Sequence, residues 1–142
     1  MGTIFSEYDI RGRAGQTLTV EYAWTVGKAF AEWLTDEQDI VVAKANDADE
    51  TITHALTEGL LLQGRDVVAI GDGSDELIVA SIRDNQASGG VLLSHDALQE
   101  VDIITLFDTN GVKITAETGL VEIEELIDAG NFLPASEKGE VK

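Results

Sequence analysis

The sequence contains no cysteine, a single proline and only nine lysine and arginine residues among its 142. Without cysteine, disulfide bonds and thiolate chemistry are both excluded. No apolar run approaches the ~18 residues that a membrane span needs, and no basic segment followed by an apolar stretch opens the chain. We therefore expect a cytoplasmic protein that does not insert into a membrane.

Negative charge is what the chain has in excess, since 27 aspartate and glutamate residues give it a formal net charge of −18. This charge excludes nucleic acid and anionic membranes as partners, because binding either requires lysine and arginine to neutralise phosphates. The hydrophobic fraction of 44% indicates a packed core rather than disorder. Two explanations of the acidity stay open: solubility by self-repulsion, and halophilic adaptation to a salt-rich cytoplasm that screens the charges.

Apolar periodicity alternates between helical and strand-like segments. Helical spacing predicts four helices, which begin after Thr19, after Asp47 or Asp49, after Ser74 and near Leu120. Short apolar runs predict buried strands near residues 40–43, 66–70, 90–93 and 103–107. The turn sequence Asp108–Gly111 predicts a hairpin that adds an antiparallel edge strand at residues 112–114. The fold class predicted is α/β, a three-layer α/β/α sandwich with a mixed, mostly parallel sheet.

Sites in an open α/β sheet lie at the carboxyl ends of the strands, so the loops predicted at residues 8–15, 44–50, 71–75 and 94–102 matter most. Ser94 and His95 follow an apolar strand and are a candidate nucleophile and a candidate base. Neighbours on an extended segment point to opposite faces, so adjacency alone does not make them a pair. Arg11 stands out in so acidic a chain, because a guanidinium group matches phosphate geometry.

Four segments of the chain occur in the order of a known family: Ile4–Gly12, Ala55–Leu61, Gly89–Val91 and Leu106–Ile114. Together they resemble the first domain of the α-D-phosphohexomutases, the phosphomannomutase/phosphoglucomutase family, over nearly the whole chain. Gly139–Val141 resembles the exit from that domain. The resemblance implies one domain over residues 1–135, with the phosphohexomutase domain I fold, and the start of an interdomain link at residues 136–142.

Enzymes of this family have four domains, and a serine of the first passes a phosphoryl group to a hexose phosphate. The resemblance implies that Ser94 is this phosphoserine, that His95 is its neighbour, and that Arg11 and Lys44 position phosphate. It also implies Mg²⁺ as the cofactor, bound mainly by a loop of a later domain, with the phosphate on Ser94 as one ligand. No metal site is expected within this chain, nor any tight binding of Mg²⁺.

The loops depart from the family's pattern although the core segments keep it. The serine segment Leu92–Ala97 lacks the family's Asn-Pro pair, Thr105 replaces a downstream lysine, and Lys44 is the only cation left in the turn after the second strand. The alignment here stays open. Keeping Ser94 and His95 in register needs a gap on each side, whereas an ungapped alignment backward from Leu106 puts His95 at the serine position.

Two hypotheses follow. In the first, the chain is the N-terminal domain of a phosphomannomutase/phosphoglucomutase-like protein of hexose phosphate metabolism, an isomerase family. We do not expect it to be catalytically competent alone, because it lacks the family's metal loop, sugar-selecting loop and terminal phosphate-binding domain. In the second, it is a stand-alone degenerate domain, a pseudoenzyme, that forms a homo-oligomer or binds a protein partner.

Overall fold

The computed structural model describes residues 5–142, so residues 1–4, where the predicted domain begins, lie outside the described residues. In chain order the strands and helices are β1 (Ile10–Gly12), α1 (Val20–Trp33), β2 (Ile40–Lys44), α2 (Glu50–Leu62), β3 (Val67–Gly71), α3 (Asp75–Asn85), β4 (Gly89–Asp96), β5 (Val101–Phe107) and α4 (Val121–Ala129). A turn at Ala116–Leu120, interrupted by the non-helical backbone of Gly119 (φ 167°, ψ −19°), leads into α4. The alternation of strands and helices confirms the predicted α/β class.

The helices begin where the sequence places their capping residues. The side chains of Thr19, Asp49 and Ser74 each accept a hydrogen bond from the backbone N–H three residues further on. Each bond satisfies one of the N–H groups that the first turn of a helix leaves without a partner. Asp49 rather than Asp47 therefore caps α2, and Gly130 ends α4 in the left-handed conformation, at φ 67°.

The strands form one mixed sheet in the order β1-β5-β4-β2-β3. β2 runs parallel to β3 and to β4, whereas β5 runs antiparallel to β4 and to β1. The antiparallel edge strand predicted at residues 112–114 is wrong, because this segment makes only an isolated bridge between Phe107 and Lys113. β1 already occupies the outer edge of β5 at residues 102–104, so the segment has only the last residues of β5 left to pair with.

Helices cover both faces of the sheet, which confirms the three layers. On the first face, α1, α2 and α4 enclose the larger core, whose buried residues include Phe30, Leu56, Val91, Ile104 and Ile123. On the second face, α3 packs its buried isoleucines against a smaller core built on Val41, Leu92 and Phe107. No helix within residues 5–142 has the length and apolar character to cross a membrane.

The last residues of the chain lie beside the outer edge of β3. The Val67 N–H donates to the Glu140 carbonyl at 2.9 Å, and the Lys142 N–H donates to the Val67 carbonyl at 2.8 Å. The Lys142 ammonium group also contacts Asp39 at 3.0 Å. These contacts attach residues 140–142 to the sheet, while the assignment of residues 136–142 to an interdomain link stays a prediction.

Candidate functional site

The candidate residues Ser94 and His95 lie on a strand and not in a loop. β4 continues past its apolar run to Asp96, and its residues 94–96 pair with residues 101–103 of β5. Only residues 97–100 remain as the turn between these two strands. The prediction of a loop over 94–102 is therefore wrong, because backbone pairing with β5 continues where the side chains become polar.

Ser94 and Arg11 share the second face of the sheet, the one that α3 covers. Ser94 is two residues beyond Leu92, a member of the smaller core, and successive side chains of a strand alternate between faces. Ser94 pairs with Ile103 on β5, which in turn pairs with Arg11 on β1. The backbones of Ser94 and Arg11 are thus about 10 Å apart in one row across the sheet.

Arg11 is held by a carboxylate from its own strand segment. Its Nε donates to Asp9 Oδ1 at 2.9 Å and its Nη2 to Asp9 Oδ2 at 2.7 Å, while its Nη1 reaches Gln99 Oε1 at 3.3 Å. Burial opposes the ionisation of Asp9, but hydrogen bonds from Arg11 and Ser6 outweigh it and hold the pKa of Asp9 below its ordinary value. The bidentate ion pair holds the guanidinium group on the second face, where the Asp9 carboxylate neutralises much of its positive charge.

His95 lies on the first face, opposite Ser94, as the alternation of a strand requires. Its Nδ1 donates to Asp102 Oδ1 at 2.7 Å, across the directly paired strands β4 and β5. The other oxygen of the buried Asp102 accepts the Asp49 N–H at 2.7 Å. The hydrogen bond to Asp102 raises the pKa of His95, and the negative charges of Asp102, Asp47 and Asp96 add to this effect.

A cavity of ≈ 320 Å³ opens at this position between the β4–β5 hairpin, the segment after β1 and the beginning of α2. Its lining residues are Arg13, Ala14, Gln16, Asp47, Asp49, His95, Glu100 and Asp102. Arg13 and His95 are the basic groups among them. Because the lining includes His95 and Asp102 but not Ser94, the cavity lies on the first face.

Lys44 also lies on the first face, since it follows the core residue Val42 by two positions on β2. Its ammonium group donates to the backbone carbonyls of Ala45 at 3.2 Å and Asn46 at 3.4 Å. The four residues predicted for the site therefore divide by face. Ser94 and Arg11 lie on the second face, and His95 and Lys44 lie on the first.

The sequence reasoning missed Asp102, the residue that contacts His95. Its only signal is spacing: in an antiparallel hairpin, residues seven apart face each other when the turn between the strands has the right length. The length of the turn was not predictable while residues 94–102 were interpreted as a loop. Arg13 was missed because a single exposed cation carries no spacing signal.

Comparison with known proteins agrees with this architecture. The sequence profile for "Phosphoglucomutase/phosphomannomutase, alpha/beta/alpha domain I" matches residues 2–133. A phosphomannomutase of Salmonella typhimurium is 32% identical over 145 residues, which cover 95% of this chain and 30% of that protein. A phosphomannomutase sequence of Klebsiella pneumoniae is 31% identical over 93% of this chain and 85% of its own length.

A solved structure has the same fold. The crystal structure of a phosphoglucomutase/phosphomannomutase family protein from Burkholderia thailandensis superposes with a TM-score of 0.74 at 21% identity, covering 98% of this chain and 32% of that one. This chain thus spans about 30% of the length of relatives such as the Salmonella protein. Sequence profile, relatives and fold agree, and the chain belongs to the phosphoglucomutase/phosphomannomutase family, in which it corresponds to the α/β/α domain I.

Proposed function

We propose that this domain contributes one side of a binding site for hexose phosphates. In this proposal Ser94 accepts the phosphoryl group and Arg11 positions the phosphate. The observation that carries the proposal is the shared row of Ser94 and Arg11 on the second face, at the carboxyl end of β4. Phosphoryl transfer depends on positioning and on cationic stabilisation of the phosphoryl oxygens. Arg11 supplies such a cation on that face.

Lys44 and His95 have different roles in this proposal, because they lie on the first face. Lys44 stands at the end of β2, whose neighbour in the sheet is β4. From there its ammonium group contributes positive charge to the carboxyl edge of the sheet rather than a direct contact with a phosphate on Ser94. His95 is the neighbour of the acceptor in sequence and faces a separate cavity.

Among residues 5–142, the side chains do not form a site for Mg²⁺. Within residues 5–142 no group of three or more histidine, aspartate or glutamate side chains is arranged to hold a metal ion. Asp96, on the same face as Ser94, accepts hydrogen bonds from the N–H groups of Leu98 and Gln99 and stabilises the turn. We therefore assign no step to a metal ion bound by this chain, and Mg²⁺ remains a proposal for the whole protein.

Turnover is not expected from these residues alone. This chain corresponds to about 30% of the Salmonella phosphomannomutase, and Arg11, which lies in one row with Ser94, is already paired with Asp9. A mutase cycle requires a sugar site and cationic groups opposite the serine. We propose that both come from outside these 142 residues.

The experiment is phosphoryl transfer to the protein, followed by intact mass spectrometry. The chain is incubated with glucose 1,6-bisphosphate and Mg²⁺, and we expect a slow gain of one phosphoryl group. Ser94→Ala should abolish the gain, whereas Ser81→Ala, on α3, should leave it unchanged. We expect no conversion of mannose 1-phosphate to mannose 6-phosphate in the same samples.

Two results would contradict the proposal: no phosphoryl gain in the wild-type chain, or a gain that persists in Ser94→Ala. Turnover by the chain alone would contradict the assignment of the sugar site to residues outside it. Nothing in residues 5–142 favours the second hypothesis, a binding or self-association module, over the family's function.

A further inference from the structure

His95 and Asp102 form a hydrogen-bonded pair that lines the cavity on the first face. We propose that Asp102 is a positioning residue, which holds the imidazole of His95 so that its Nε2 faces the cavity and accepts a proton from a hydroxyl group of a bound ligand. The cavity lies on the opposite face of the sheet from Ser94, so this hydroxyl group is not the one that exchanges a phosphoryl group with Ser94. Only the class of the ligand, a sugar, rests on the proposed function. The arrangement of the pair does not.

The geometry fixes the proton on one nitrogen of the ring. A carboxylate only accepts hydrogen bonds, so the 2.7 Å contact places the proton on Nδ1 of His95. In the neutral ring the lone pair then lies on Nε2. A histidine oriented in this way by a third group is the arrangement of an activated base.

Asp102 is itself immobilised, which distinguishes the pair from a surface ion pair. The residue is 4% exposed, and its second oxygen accepts the Asp49 N–H at 2.7 Å. Asp49 is also the N-cap residue of α2. The Asp102 carboxylate on β5 is therefore hydrogen-bonded both to His95 on β4 and to the beginning of α2. The side chain of His95 keeps 28% exposure and lines the cavity.

The step balances within the pair and the ligand. The O–H bond of the ligand breaks, an N–H bond forms at Nε2, and the oxygen keeps the electron pair. The resulting imidazolium charge lies against the Asp102 carboxylate, which stabilises it. Arg13 and Gln16, which line the same cavity, supply hydrogen-bond donors for the rest of such a ligand.

The test is the reactivity of the imidazole toward diethyl pyrocarbonate, measured for each histidine by peptide mass mapping. His54, exposed on α2, is the only other histidine and serves as the internal control. At about pH 8.5, above the ordinary histidine range, we expect His95 to react faster than His54 although it is the less exposed. Asp102→Asn should slow His95 by about tenfold and leave His54 unchanged.

Asp47→Asn is the matched variant, because Asp47 lines the same cavity and is not a hydrogen-bond partner of the His95 ring. It should change the rate at His95 by less than about twofold. A wild-type His95 that reacts no faster than His54 would overturn the proposal, and this comparison needs no variant to fold. Equal slowing by Asp47→Asn and Asp102→Asn would also overturn it.

The reagent needs no sugar and no phosphoryl donor. A failure at His95 therefore leaves the phosphorylation of Ser94 untouched, and a failure to phosphorylate Ser94 leaves the reactivity of His95 untouched. The two experiments therefore test the two proposals independently.

Discussion

Arg65 is buried to 6% exposure and joins three segments that are distant in the sequence. Its Nη1 donates to the Ala31 carbonyl at 3.0 Å, and its Nη2 donates to the Gln38 carbonyl at 2.9 Å and to Ser88 Oγ at 2.6 Å. Burial lowers the pKa of Arg65, and the negative charge of Asp36 opposes that effect. A planar fork with several donors suits this position, whereas a single ammonium group does not.

We expect Arg65→Lys to lower the free energy of unfolding by about 3 kcal/mol, because it leaves buried acceptors without donors. Urea unfolding followed by circular dichroism measures the effect. The control is Arg83→Lys at an exposed position of α3, which should change stability by less than about 0.5 kcal/mol. Equal effects at the two positions would contradict a structural role for the Arg65 fork.

A second prediction at this scale concerns Asp9, whose pKa is held below its ordinary value. A depressed carboxyl pKa contributes stability above the unfolded value of about 3.9, and the contribution disappears as pH falls through the folded value. Asp9→Asn should therefore destabilise the protein at pH 7 by about 1 kcal/mol, because Arg11 keeps part of its exposure to water. The difference between wild type and variant should shrink between about pH 5 and pH 3. A difference that is constant over this range would show that the charge of Asp9 contributes nothing.

At the scale of elements, the contact between α1 and α2 depends on two glycines, one on each helix. Each of them lies against the backbone of the other helix. A Cβ added at Gly27 would lie 2.2 Å from the Leu56 carbonyl oxygen, and one added at Gly59 would lie 2.1 Å from the Trp24 carbonyl oxygen. Neither neighbour is a flexible side chain, so only a separation of the helices could make room. The close approach explains why glycine is used inside two helices, where it costs about 1 kcal/mol relative to alanine.

Gly27→Ala and Gly59→Ala should each destabilise the protein by about 2–3 kcal/mol, the cost of overpacking. This sign is opposite to the one that helix propensity predicts. Thermal and urea unfolding measure it, with Thr25→Ala on α1 as the control, for which a change within about 0.5 kcal/mol is expected. A stabilising effect of either glycine substitution would show that the helices adjust without loss.

At the scale of the whole molecule, the net charge of −18 acts on every element at once. Among the described residues, ion pairs such as Arg11–Asp9 and Lys138–Glu58 engage several of the few cations. Most carboxylates therefore repel one another across the surface, and this repulsion weakens as the Debye length falls to about 3 Å at 1 M salt. The acidity therefore makes stability depend on salt.

If the acidic surface is a halophilic adaptation, the melting temperature should rise by more than about 5 °C between 0.1 and 2 M KCl. Differential scanning calorimetry measures it. The rise should be smaller near pH 4, where part of the carboxylates are protonated. A melting temperature that stays constant or falls with KCl at pH 7 would contradict halophilic adaptation and leave solubility as the explanation of the charge.

The helices were predictable because their signals are local. Thr19, Asp49 and Ser74 cap their helices from within three residues, and the apolar stripes need only the 3.6-residue period. The antiparallel edge was not predictable: β1 is three residues long, and its pairing with β5 joins segments some ninety residues apart. Asp108–Gly111 does form the expected turn, with the Gly111 N–H donating to the Asp108 carbonyl at 2.9 Å. Its second arm fails to become a strand because β1 holds most of the edge.

The sequence by itself determined the α/β class, the family and the identity of Ser94, His95, Arg11 and Lys44 as the candidate residues, because these depend on local patterns and on their order. Strand alternation already predicted that Ser94 and His95 point to opposite faces. Only the tertiary structure decided that Arg11 shares the face of Ser94, that Lys44 shares the face of His95, and that Asp102 contacts His95. These facts depend on register: a strand shifted by one residue exchanges the two faces. Register is set by pairing between distant strands, and no local pattern contains it.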